Sequence, residues 1–463
     1  MATRDLTADI NKYYKDHLVS MEDAAKVIKA GDVVWMGQAT QVPYAFLDEL
    51  HAHKESYNDV TLIWNCANVP FNMIFDPDAK KHFRMLSLFC LPLERMSGDM
   101  GVMEYPSVGY EFTIKYVFEY GCNTIAYQVC PPDENGFCNY GAYGISNGAQ
   151  VATDPRITKK IAFIDHGQYA VPGKQEDVSM HISEFDYIVE NDTVLVPIPA
   201  APPTDVDKQI ASYILPYIHA GDKVEIGFGG LGEEILANLK DVGQLEIFSE
   251  VACDNMATLV EEGVLTKVVA SSPGACSEKF FDFIAKDPRA QLIPTSTTIN
   301  PFVIGKTENI VAINATFMVD LLGQACSESQ GLKPYSGAGG SFAYIFGAMN
   351  APGGRSFVCL RSTYKDKEKK LQSNIVPWLP EGSIVTTPKN YQMYIVSEWG
   401  IANVFLKTCK DRIKAIIKIA HPDFRQELKD KICTTPLISE ADFENGFNLF
   451  NEDPADCYDV HER

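Results

Sequence analysis

Residues Ala220 to Met256 read AGDKVEIGFGGLGEEILANLKDVGQLEIFSEVACDNM. The pattern is a short apolar strand (Val224, Ile226), a glycine loop (Gly227, Gly229, Gly230, Gly232), a helix from Glu233 to Leu239, and a second strand from Leu245 to Phe248 with Glu250 at its end. A strand that runs through glycines into a helix brings bare backbone N–H groups to a helix N-terminus, where negatively charged ligand groups bind. Gly227, Gly229 and Gly232 satisfy G-x-G-x-x-G, and Glu250 follows at about the 20-residue spacing at which a dinucleotide-binding fold keeps its ribose-binding acid. A second reading makes Glu250 a nucleophile and the glycine loop a wall for a thioester. The stretch marks a candidate site and leaves its chemistry open.

Outward from this stretch, its opening recurs. KVIKAGDVVWMGQATQVPYAFL, from Lys26, and PYIHAGDKVEIGFGGLGEEIL, from Pro216, share Ala-Gly-Asp, the strand valine and the following glycine. A helix-strand-glycine-helix unit therefore opens each half, which is the mark of a duplicated domain. Ser20 and Asp23 predict a capped helix over 21–29, followed by a strand from Val33 to Met36. Helix Tyr44 to His51 and strands Val60 to Trp64, Thr124 to Val129, Ile161 to Asp165 and Phe185 to Val189 continue the alternation. Strands separated by helices predict parallel sheets built of βαβ units, hence an α/β fold of two similar open domains. The proline run Pro197 to Pro203 breaks helix and sheet alike, and the division is expected there, as 1–200 and 201–463. PPDENGFCNYGAYG, from Pro131, reads as an irregular surface crossover. The acidic, aromatic C-terminal two dozen residues read as a peripheral extension without chemistry.

With 463 residues, 46% hydrophobic and 22% charged, the chain is long enough for two globular cores. A formal net charge of -21 argues against nucleic acid or an anionic membrane as partner, because long-range repulsion opposes both. The stretch MATRDLTADINKYYKDHL has no apolar run after its positive charges, and nowhere do 18 or more apolar residues follow one another, so a cytoplasmic protein is expected. The twelve cysteines include no C-x-x-C pair, and their closest cluster is Cys122, Cys130 and Cys138; no metal site is expected. His166 and His421 read as loop residues, Glu328 and Glu398 as supporting carboxylates, and no G-x-S-x-G elbow occurs.

The segments PPDENGFCNYG, HISEFDYIVE, IGFGGLG, FSEVACDNM, INATFMVDLLGQACSES, YSGAGGS, VSEWGIA and IAHPDFR, in this order over residues 15 to 430, resemble the acetyl-CoA hydrolase/transferase family. That family belongs to the family I CoA-transferases, which include 4-hydroxybutyrate and butyryl-CoA:acetate CoA-transferases. The resemblance implies two similar α/β domains with the active site between them. It places Glu250 on the nucleophilic glutamate, Asn314 at the thioester carbonyl, and Glu398 on an active-site carboxylate of some members. Gly227, Gly229 and Gly230 fall in the first glycine motif, and Gly337, Gly339 and Gly340 in the second, both by the CoA and acyl site. Three departures stand out: Phe342-Ala343-Tyr344 where many relatives have an aspartate-phenylalanine pair, Asn135 where histidine is frequent, and Glu225 where an uncharged residue is common.

The implied activity is CoA transfer from a short-chain acyl-CoA to a carboxylate such as acetate, through an acyl-glutamyl anhydride and a glutamyl-CoA thioester. No tightly bound cofactor is implied, coenzyme A entering as the thioester substrate, and a homo-oligomer, dimer or tetramer, is expected. Acyl-CoA hydrolysis differs only in letting water reach the glutamyl intermediate. NAD-dependent hydride transfer, resting on G-x-G-x-x-G, and non-catalytic acyl-CoA binding remain as rivals from other classes.

Overall fold

The computed structural model describes residues 9–193, 202–227, 229–274 and 276–444. The proline run before Pro202 and the C-terminal extension beyond residue 444 lie outside the described residues. The chain forms two compact units. One comprises Met1–Pro199, Val269–Thr298 and Ser336–Gly339; the other comprises Ala200–Val268, Ile299–Tyr335 and Gly340–Arg463. A single cut at residue 200 therefore omits two excursions, in which segments from the second half of the sequence pack into the first unit.

In the first unit, α1 (Met21–Lys26) starts at Ser20, whose hydroxyl accepts the Asp23 N–H, as the capping pattern predicts. It ends earlier than its apolar face suggested, because the chain turns through Gly31 at φ 84°. Strand β1 (Val33–Gln38) then leads through a turn to α2 (Tyr44–Ala52). The sheet is completed by β2 (Val60–Asn65), β3 (Phe83–Ser87), β4 (Met103–Glu104), β5 (Thr124–Val129), β6 (Lys159–Ile164) and β7 (Tyr187–Glu190), in the order β4-β3-β2-β1-β5-β6-β7. Every pair is parallel. Both faces are covered: β1 sends Val34 and Met36 into one apolar cluster and Val33 and Trp35 into another. A strand buried on both sides reads as a continuous apolar run, which is why VVWM carries no alternation.

The second unit repeats this plan. Its helix α3 (Asp205–Ile214) passes into a 3-10 turn, Leu215–Tyr217, at Pro216, which cannot continue it. Strand β8 (Lys223–Ile226) and helix α4 (Gly230–Ala237) follow, then β9 (Leu245–Phe248), β10 (Leu265–Ala270), β11 (Ile310–Ala315), α5 (Ser341–Asn350), β12 (Arg355–Cys359), β13 (Tyr394–Ser397) and β14 (Gly400–Asn403). From β10 the sheet order is β10-β9-β8-β11-β12-β13-β14; the pairs from β9 to β13 are parallel and the last hairpin is antiparallel. Thus β8 lies between β9 and β11 as β1 lies between β2 and β5. Among the described residues no helix is long and apolar enough to cross a membrane.

The repeated Ala-Gly-Asp has a structural reason. Gly31 and Gly221 adopt φ 84° and 90°, the left-handed region that favours glycine. Asp32 accepts the Lys29 N–H at 2.7 Å, and Asp222 accepts the His219 N–H at 2.7 Å, so each aspartate closes the turn before its strand. Each also pairs with a cation two strands away: Asp32 with Lys159, first residue of β6, at 2.5 Å, and Asp222 with Arg355, first residue of β12, at 2.6 Å. These locks pin the amino-terminal ends of both sheets. Arg355 and Asp222 have side chains only 11% and 4% exposed, so removing the cation strands a buried carboxylate. We expect Arg355→Met to destabilise the protein by about 3–5 kcal/mol, seen as a lower urea midpoint.

The Pro131 segment is not the surface crossover its composition suggested. Phe137–Asn139 pairs antiparallel with Ser179–His181, and Cys138, Tyr140 and Tyr143 are buried. Cys122 and Cys130 are also buried, which pushes both thiols up to about 12 and leaves them as small apolar side chains.

Candidate functional site

The second unit gathers its polar groups at the carboxyl ends of β8, β9 and β11, where ligands bind in open α/β sheets. Ser249, fully buried, straps β9 to β8: its hydroxyl accepts the Ile226 N–H at 3.3 Å and donates to the Ile226 carbonyl at 3.1 Å. Glu250 follows immediately and is half-buried. Its carboxylate lies against the second glycine loop, for a Cβ added at Gly340 would stand 2.3 Å from Glu250 Oε2. Gly340 itself has φ -94°, so the position requires absence of a side chain rather than special backbone freedom.

On β8, Glu225 is 2% exposed in the midst of an apolar strand. Its Oε2 accepts the Ile313 N–H at 3.1 Å and the Asn314 Nδ2–H at 2.8 Å. Burial pushes the Glu225 carboxyl up to about 8, and the charge of Glu250 adds to the effect. Tyr344, on α5, is fully buried; its hydroxyl has no hydrogen-bond partner among the described residues, and the charges of Glu225 and Glu250 raise its pKa further. Glu225, Asn314, Tyr344 and Glu250 therefore form one electrostatically connected group.

The first glycine loop divides its labour. A Cβ at Gly227 or Gly229 would meet nothing within 4 Å, and Gly229 has φ 130°, so these two leave open space over bare backbone. Gly230 packs against Asp207 and Pro202, while a Cβ at Gly232 would run into the Gly227 carbonyl at 2.4 Å. The helix starts at Gly230, ahead of the predicted Glu233, because the turn is completed at Gly229. In the second loop, Gly337 and Gly339 belong to the first unit: a Cβ at Gly337 would lie 2.0 Å from the Leu88 carbonyl, and Gly339, at φ 65°, faces the Phe89 ring. Gly340 is the member of that loop set against Glu250.

Glu398 is engaged elsewhere. Its oxygens accept the Ser362 N–H at 2.9 Å and the Ser362 hydroxyl at 2.5 Å. Glu328 is buried, which raises its pKa, and bonds Thr386. His166 is exposed and paired with Asp192 at 2.7 Å; His421 caps the helix Pro422–Cys433 by accepting the Asp423 N–H. Neither histidine is placed as a base.

A cavity of about 930 Å³ opens past the ends of β11 and β12, starting at Ala315. Ala315, Thr316 and Cys359 line its strand side, Leu231 of the first turn of α4 another wall, and its charged groups are of both signs, Arg361, Lys365 and Lys367 with Asp207 and Asp366, Arg361 being paired with Asp207 at 3.1 Å. Sequence reading missed this cavity, since its walls come from many separated segments, spread from Asp207 to Ser383. Glu225 and Tyr344 stood out only as departures from a pattern, although a carboxylate between Val224 and Ile226 is a signal in itself.

Comparison with known proteins accords with this geometry. Residues 3–199 match the acetyl-CoA hydrolase/transferase N-terminal domain, and residues 276–432 match the C-terminal domain of the same name. The chain is 31% identical over 428 residues to the 4-hydroxybutyrate coenzyme A transferase of Clostridium kluyveri, covering 90% of this chain and 97% of that protein. It is 30% identical over 434 residues to the butyryl-CoA:acetate CoA-transferase of Anaerostipes caccae, covering 90% and 95%. Among solved structures, RipA from Yersinia pestis aligns with a TM-score of 0.83 at 26% identity, covering 93% of this chain and 100% of RipA. The 4-hydroxybutyrate CoA-transferase of Porphyromonas gingivalis shares the fold, with a TM-score of 0.73 at 24% identity over 92% and 99% of the two chains. Two matched domains and a relative aligned along nearly its whole length decide the matter: the chain belongs to the acetyl-CoA hydrolase/transferase family, and it is an enzyme acting on CoA thioesters.

Proposed function

We propose that the enzyme transfers coenzyme A from a short-chain acyl-CoA to a carboxylate such as acetate, with Glu250 as the covalent nucleophile. The observation that carries this reading is the setting of Glu250: a half-buried carboxylate at a strand end, in contact with Gly340 and strapped in place through Ser249. The names of relatives supply the substrate class, butyryl-CoA and acetate in one case.

A Glu250 oxygen attacks the thioester carbonyl, the C–S bond breaks, and its electron pair leaves with sulfur as thiolate. The product is an acyl-glutamyl anhydride. The thiolate then attacks the glutamyl carbonyl, the C–O bond breaks, the free carboxylate departs, and Glu250 is left as a CoA thioester. A second carboxylate reverses the sequence. Each half-reaction exchanges one anion for another, so neither needs a general base, in keeping with the structural engagement of both histidines.

Negative charge developing on the carbonyl oxygen requires fixed donors. Asn314 commits one Nδ2–H to Glu225 and has a second, and the bare backbone at Gly227 and Gly229 lies at the neighbouring strand end. The cavity beside Ala315, with Lys365 and Lys367 on its wall, is roomy enough for part of the long remainder of an acyl-CoA, whose binding can drive the unfavourable anhydride step. Coenzyme A is substrate, and no tightly bound cofactor takes part.

Incubation with butyryl-CoA alone is expected to leave a CoA adduct on Glu250, located by mass spectrometry of the peptide. An unmodified Glu250 in an active preparation rejects the covalent route. Added acetate should accelerate thioester loss with formation of acetyl-CoA; a rate indifferent to acetate would identify a hydrolase.

A further inference from the structure

The buried carboxyls divide into two kinds. Glu94 is fully buried, but its oxygens serve as a cap, accepting the Ala67 N–H at 2.8 Å, the Leu91 N–H at 2.6 Å and the Ser87 hydroxyl at 3.1 Å. Glu225 is different, because its partners belong to the reacting group. Its Oε2 takes N–H bonds from Ile313 and Asn314, and the titratable groups around it are Glu250 after β9, Tyr344 on α5 and Cys359 on β12. None of these carries positive charge.

We infer that Glu225 is a positioning residue that stays a neutral carboxylic acid beside Glu250, aiming the Asn314 amide and holding the site to a single negative charge. This rests on the reading of Glu250 as nucleophile. With Oε2 accepting two N–H bonds, the proton resides on Oε1. During the first half-reaction the negative charge passes from Glu250 to the CoA thiolate and then to the departing carboxylate. A protonated Glu225 allows that passage with one anion present at each stage, whereas an ionised Glu225 would set a second charge in a dry environment. Conversion of Glu250 to its neutral thioester removes the repulsion, so the proton on Glu225 is held less firmly in the covalent intermediate. The direction agrees with the upward shift that burial and the Glu250 charge impose.

The test measures the rate of Glu250 adduct formation from butyryl-CoA between pH 6.5 and 9.5 in wild type and Glu225→Gln, whose amide reproduces the neutral acid. Wild type should lose about tenfold in rate per pH unit above about pH 8, and the variant should lack this alkaline limb whatever its absolute rate. An identical limb in both overturns the inference. Infrared difference spectroscopy supplies a measurement independent of turnover and of the variant's folding. A carboxylic acid C=O band present at pH 7 in wild type should ionise near pH 8, and Glu250→Gln should shift its titration to lower pH. A wild type without such a band, or a titration unmoved by Glu250→Gln, overturns the inference as well. If no adduct forms on Glu250 at all, the covalent reading fails, and the infrared titration alone decides whether Glu225 holds its proton against the Glu250 charge.

Discussion

Glu250→Ala is expected to lower CoA exchange by roughly 10⁴- to 10⁶-fold, the scale of losing a nucleophile rather than a helper. Two other carboxylates singled out in the second unit, Glu225 and Glu398, cannot substitute. Glu225 is buried on the strand and committed to Ile313 and Asn314, and Glu398 is bound by Ser362. Glu250→Asp keeps the charge and withdraws it by about one methylene, a misplacement that costs on the order of 10²-fold. The graded loss, Asp far milder than Ala, measured as kcat/KM for butyryl-CoA and acetate, is what a covalent role demands. A purely electrostatic role would leave Asp close to wild type. Both variants should unfold at the wild-type temperature within a few degrees, because Glu250 is only half-buried.

Gly340→Ala is the second large effect. Its φ of -94° suits alanine, and the residue precedes α5, so the backbone resists nothing. The added methyl, however, would stand 2.3 Å from Glu250 Oε2 and 2.9 Å from Ile299 Cγ2, both inside any real contact distance. Relief requires the carboxylate to retreat by about 1 Å, and the expected result is a loss of about 10²-fold in kcat with little change in thermal stability. Single-turnover formation of the CoA adduct should slow in the same proportion as kcat, which locates the defect in the chemical step. Equal adduct rates in variant and wild type would show that Glu250 does not occupy this position when it reacts.

The residues that carried the sequence reading fared differently for physical reasons. The repeated Ala-Gly-Asp was legible because a left-handed glycine and a buried aspartate have few substitutes, and it led directly to two sheets of one plan. Glu250 and the glycines were legible through family resemblance and through strand-loop-helix spacing, yet spacing alone could not separate a pyrophosphate site from a thioester site. Nor could it distinguish Gly340, set against a carboxylate, from Gly337 and Gly339, which are small because the Leu88 carbonyl and the Phe89 ring press on them. The Pro131 segment misled through composition: prolines and glycines shaped a turn whose aromatic and cysteine side chains were then buried. Glu225 was noticed as an oddity, but its meaning depended on Asn314, a partner 89 residues away.

The paired locks have a consequence for how such a protein changes over time. Asp32 with Lys159 and Asp222 with Arg355 fasten the strands where they begin, while Glu250, Asn314 and the walls of the cavity lie where strands end. In the second unit, on the proposed reading, folding and chemistry thus draw on opposite edges of the same sheet. On that reading, substitutions at the carboxyl edge would alter which acid is accepted without reopening the problem of how the sheet is assembled.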